Sequence, residues 1–114
     1  MDIEQLDAEL DQAERMQRLA AYQEQEKEEA RLDLIHVMST VEGRRFIDLL
    51  RRDTGVQRLS YVQGDPGQTA FNDGRRSVGL ELVQRLLHPD LLAFYARLEH
   101  EHRDRISERN RVVR

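Results

Sequence analysis

The chain contains no cysteine, which excludes a disulfide frame, a thiolate metal site and a cysteine nucleophile. No run approaches the roughly 20 consecutive apolar residues of a membrane span. The opening stretch MDIEQLDAEL is acidic, with neither the basic start nor the apolar stretch of a secretion signal, so a soluble protein made in the cytoplasm is expected. Glycine is scarce, at six residues, and neither glycine nor proline occurs before Gly43. Lysine is nearly missing: of eighteen basic residues only Lys27 is not arginine. Arginine forms planar, forked hydrogen-bond pairs that survive burial or an interface better than a hydrated ammonium. High-GC coding gives the same bias, and both explanations stand. Apolar residues are also few for 114 positions, at 39% against 35% charged, with a mean hydropathy of -0.76. That composition allows one domain with a modest core.

Charge is unevenly distributed. Residues 1–34 carry eleven acids and four bases, a net -7, whereas 35–114 carry eleven acids and fourteen bases, a net +3. A chain polarised in this way can pair head to tail with copies of itself or with a basic neighbour. It is ill suited to free DNA binding, because the net charge of the chain is negative and its first 34 residues would repel phosphate.

From residue 2 to about 30 nearly every residue is a strong helix former. Ile3, Leu6, Leu10, Ala13, Met16 and Leu19 recur at helical spacing but make only a thin stripe, which fades through the polar YQEQEKEEAR. Such a helix is poorly stabilised alone. Two readings stand: an arm for a partner surface, or a solvated and partly disordered tail.

A dense apolar run, LDLIHVM, closes that segment. Ser39 followed by Glu42 has capping-box spacing and predicts a second helix over about 40–53, with Val41, Phe46, Ile47, Leu49 and Leu50 as its apolar side and Gly55 as its stop. Asp65 as N-cap, Pro66 in the first turn and Gln68 in position to complete the box predict a third helix to about Leu87. Phe71, Val78, Leu82 and Leu86 lie along one face of it. HPD at 88–90 predicts a restart with Pro89 at a first helical position, and Leu91, Phe94, Tyr95, Leu98 and Ile106 follow at helical spacing. The fold class expected is all-α: a small bundle of three to four helices over 32–102, a charged helical arm over 1–31, and a basic tail over 103–114.

Two acid-Gly-Arg-Arg runs, EGRR at 42–45 and DGRR at 73–76, place glycines inside helices. A helix-interior glycine costs about 1 kcal/mol against alanine, and close approach of another backbone is the usual return. Gly43 and Gly74 are therefore expected where the second and third helices cross. Arg44, Arg45, Arg75 and Arg76 are expected to hold that crossing or a partner. Local pairing at helical spacing is available through Glu42–Arg45, Arg44–Asp48, Asp48–Arg52, Asp73–Arg76 and Glu81–Arg85. Arg45 and Arg76 are the candidates for partial burial.

No set of residues is spaced for chemistry. GDPG lacks the Lys-Ser/Thr that ends a phosphate-binding loop. His100 and His102 point about 200° apart on a helix, which is unsuited to one ion. Nothing in the sequence points to a histidine that would activate Ser39, Ser60, Ser77 or Ser107. Catalysis, a metal and a cofactor are not expected.

The stretches VMST-EGRRF (37–46), GDP (64–66) and TAFNDGRRSVGL (69–80) occur in an order and spacing that resemble a family of small proteins encoded among the virion genes of tailed bacteriophages, typified by a small Bordetella podophage protein. The resemblance spans about 33–98 and implies a non-catalytic protein of the head or head-to-tail module, located in the virion. Three roles fit it. The first is an internal or portal-associated virion protein, ejected with DNA or retained, contacting the portal or copies of itself as a homo-oligomer. The second is a scaffold or packaging accessory that leaves the mature particle. The third is a DNA-contacting packaging module. The arm lies outside the resemblance, and its expected interface is Ile3, Leu6, Leu10 and Leu19. For nonspecific contact with packaged DNA the candidates are Arg103, Arg105, Arg109, Arg111 and Arg114.

Overall fold

The computed structural model describes residues 2–113. Four helices follow one another: α1 Ile3–Met38, α2 Val41–Asp53, α3 Pro66–Leu86 and α4 Leu92–Val112. No strand occurs among the described residues, and the chain is all-α. It divides into two compact units, the first ending at Leu34 and the second beginning at Ile35.

The first unit consists of most of α1. Its start is closed by a reciprocal cap that the sequence reading passed over: Gln5 N–H donates to Asp2 Oδ1 at 2.7 Å, and Asp2 N–H donates to Gln5 Oε1 at 3.4 Å. Side-chain pairs along the helix, Glu14–Arg18 at 3.5 Å and Glu24–Lys27 at 3.2 Å, are exposed and contribute only about 0.2–0.5 kcal/mol each. Every residue from 2 to 30 is exposed, including the whole apolar stripe.

The second unit holds the last turn of α1 together with α2, α3 and α4, and α2 packs against both α3 and α4. Met38, Ile47, Leu86, Leu91 and Leu98 form its buried apolar core. The cap of α2 falls one residue later than its capping-box spacing predicts. Thr40 Oγ1 accepts from Gly43 N–H at 3.0 Å, whereas the Ser39 hydroxyl donates back to the His36 carbonyl at 2.6 Å. Gly55 follows α2 with φ of 74°, a left-handed value that favours glycine. At α3 the expected start is found: Asp65 caps Gln68 N–H at 2.9 Å and Pro66 opens the helix. The Gln68 side chain does not return to complete a box, because its Nε2 donates forward to Asn72 Oδ1 at 2.9 Å.

Two expectations shift at α4. Pro89 lies in the turn before the helix, where Leu91 N–H donates to the His88 carbonyl at 2.8 Å, and α4 begins only at Leu92. The basic segment after residue 102 is part of the same helix as far as Val112. Between α2 and α3 the LSYV stretch forms no strand; it is tied down by Val62 N–H donating to Thr69 Oγ1 at 2.9 Å and Asn72 Nδ2 donating to the Ser60 carbonyl at 3.1 Å. No helix is long and apolar enough to cross a membrane among the described residues.

Candidate functional site

The site is built on α2, which is folded with its charges inside. Arg44, Ile47, Asp48 and Arg51 recur at steps of three, one and three residues, so they share one face of the helix, and all four are buried. The opposite face carries Phe46, Leu49 and Leu50, which are 58%, 42% and 37% exposed. Val41 is exposed as well. Of the five residues expected to turn α2 toward the core, only Ile47 does so. The reason is α4, whose inward face mixes apolar and charged side chains. Leu91, Tyr95, Leu98, His102 and Arg105 follow one another at spacings of four and three, and Glu99 and Glu101 flank them.

Three clusters join the two helices. Arg44 forks onto Glu101, with Nε and Nη2 donating at 3.1 and 2.9 Å, while its Nη1 donates to the Met38 carbonyl at 2.9 Å. Arg51 donates to Asp48 at 2.8 Å and to Glu99, reaches the Tyr95 hydroxyl at 3.4 Å, and lies over the Tyr95 ring at 5.9 Å. Asp48, fully buried, also accepts from Arg105 at 2.8 Å and lies 3.0 Å from His102 Nδ1. Arg52 Nε stands 3.5 Å from the same carboxylate.

Burial by itself would raise the Asp48 pKa, but the hydrogen bonds from Arg105, His102 and Arg51 prevail and hold it below the usual value of 3.8. Burial would lower that of Arg51, and its bonds to Glu99, Asp48 and Tyr95 raise it instead. Both groups are therefore charged at neutral pH. Arg51 Nε is buried without a partner among the described residues, a desolvation cost of about 1–3 kcal/mol that the rest of its cluster must offset. Buried ion networks contribute less to net stability than to holding one arrangement. Here they fix the roll of α2 about its own axis, and that roll turns Phe46, Leu49 and Leu50 outward.

The sequence-predicted residues fall into distinct groups. Gly43 sits at a close approach: a Cβ there would overlap the Val37 carbonyl at the end of α1. Gly74 does not, since a Cβ would meet nothing within 4 Å, so the two glycines do not mark a crossing of α2 with α3; the close approach on α3 is at Gly79, where a Cβ would overlap Thr54 and Val56 just past the end of α2. Arg44 is buried and bonded to Glu101 rather than to Asp48, while Arg45, expected to be partly buried, is exposed. Arg75 donates to the Asp53 carbonyl and lies 5.8 Å from the Phe71 ring; Arg76 Nε donates to the Val56 carbonyl at 3.4 Å. Both stay exposed. They tie α3 to the chain leaving α2 through backbone oxygens, a kind of partner that side-chain spacing does not reveal.

On the first unit Ile3, Leu6, Leu10 and Leu19 are all exposed, between 47% and 78%. Among the basic residues of α4, Arg105 is committed to Asp48 and Arg111 pairs with Glu108, whereas Arg103 and Arg109 are exposed. Arg114 lies outside the described residues. His100 and His102 turn to different partners, Asp104 at 3.4 Å and Asp48 at 3.0 Å.

These features define a helical protein with a charge-pinned body and outward apolar faces. The model of the Bbp19-like phage protein family matches residues 35–98, more than half of the chain, and the chain belongs to that family. The match begins at the first residue of the second unit and covers α2, α3 and the first part of α4. No curated protein and no solved structure matched it.

Proposed function

We propose that the chain is a non-enzymatic component of the phage particle, internal or associated with the portal or head-to-tail region, present in several copies and acting through helix-to-helix contacts. The observation that carries this reading is the inverted α2, with Asp48 fully buried and Phe46 58% exposed. Single apolar residues on a surface are ordinary, but a grouped apolar face on a helix whose inner side is ionic marks a contact surface. The exposed stripe of α1 supplies a second such surface, and family membership supplies the phage context. The protein is made in the bacterial cytoplasm and assembled there into the virion.

Mass spectrometry of purified mature particles tests the proposal. The protein is expected in them at a fixed ratio to the portal. Its presence in precursor particles and loss from mature ones would replace the proposal with a scaffolding role, and absence from both would end it.

A further inference from the structure

The first unit and the α2 face complement one another in length, apolarity and charge. The 13 residues of α2 span about 20 Å, and the stripe from Ile3 to Leu19 spans about 25 Å. Ile3, Leu6 and Leu10 stand at i, i+3 and i+7, the anchor spacing of a helix laid on an apolar surface. The segment carrying them holds Glu4, Asp7, Glu9, Asp11 and Glu14 against Arg15 and Arg18. Exposed Arg45 and Arg52 border the Phe46–Leu49 side of α2.

From this complementarity we infer that the outward face of α2 seats residues 3–19 of a second copy of the chain, joining copies head to tail. The inference rests on the multi-copy reading above and names the occupant of its surface. Pairing one first unit with another would bring a net charge of -7 against -7, and pairing one α2 face with another would set Arg45 and Arg52 against themselves. Only the crossed arrangement sets the acidic unit against the body carrying a net +3. Donor and acceptor are then different surfaces, and every copy seated on a neighbour still offers its own α2. Contacts of that kind close into a ring or continue into an open array.

The test uses the full chain and two variants whose changes lie at exposed positions: a donor-defective Leu6→Asp/Leu10→Asp and an acceptor-defective Phe46→Glu/Leu49→Glu. Circular dichroism confirms that each keeps its helix content. In sedimentation velocity the wild type is expected to form species larger than a dimer as concentration rises, and each variant alone to remain monomeric. An equimolar mixture of the two should give a dimer and nothing larger, because one variant retains a sound arm and the other a sound α2. Added salt should weaken that dimer. Continued association of the acceptor-defective variant alone would show arm-to-arm pairing and overturn the inference. Association of the donor-defective variant alone would show pairing between bodies and overturn it equally. A mixture that stays monomeric, or a wild type that does, would also overturn it. None of these outcomes bears on whether the protein occurs in particles, which the mass spectrometry decides separately.

Discussion

Asp48 receives Arg51 and Arg105 at 2.8 Å each and His102 at 3.0 Å, and so gathers three partners from α2 and α4 on one buried carboxylate. Removing its charge leaves Arg51, itself only 2% exposed, with Glu99 as its remaining charged partner among the described residues. Asp48→Asn is accordingly expected to lower stability by about 3–5 kcal/mol, read from chemical denaturation. The pH dependence has a definite sign. The folded-state pKa of Asp48 lies below its ordinary 3.8, so its contribution is complete above that value and is lost as pH falls through the lower folded value. The stability gap between wild type and Asp48→Asn should therefore narrow on acidification below about pH 4 and stay constant just above it. A gap that widens in acid would mean that the carboxylate is not the hub.

At the scale of the element, the glycines separate packing from propensity. Gly79→Ala forces a methyl group into Thr54 and Val56 and should destabilise by about 1–3 kcal/mol. Gly43→Ala should destabilise more, since the obstacle is a backbone carbonyl that cannot turn aside. Gly74→Ala has open space and should stabilise α3 by up to about 1 kcal/mol. Thermal melts of the three variants check the ordering, and a destabilised Gly74→Ala would restore a crossing at that position. Helix formers, the Asp65–Pro66 start and the Gly55 stop made the element order legible from sequence, because those signals are local. The facing of α2 was not legible. Periodicity assigns Phe46, Leu49 and Leu50 to the core by default, and the partners that reverse the assignment lie far along the chain: Arg44 to Glu101, Arg51 to Glu99, Asp48 to Arg105. Spacing within one helix suggested Arg44–Asp48 instead. Gly79 is not singled out by sequence because it lies outside the acid-Gly-Arg-Arg runs that mark Gly43 and Gly74.

At the scale of the whole molecule, every buried residue among those described belongs to the unit that begins at Ile35, and none to the one that ends at Leu34. A fragment of residues 35–114 should thus keep a single cooperative melt, followed by circular dichroism, with a midpoint close to that of the full chain. Its formal charge changes from -4 to +3, so at pH 7 it should bind a cation exchanger that the full chain passes through. A fragment without cooperative unfolding would show that the first unit is needed for the body to fold.

The outward side of α2 also sets how the isolated protein behaves in solution. A folded chain that already displays a phenylalanine and two leucines will light up solvatochromic dyes at room temperature, so dye-based melting curves should start bright rather than dark. Freshly synthesised copies are sticky from the outset, and a partner seated on α2 as proposed would raise their solubility.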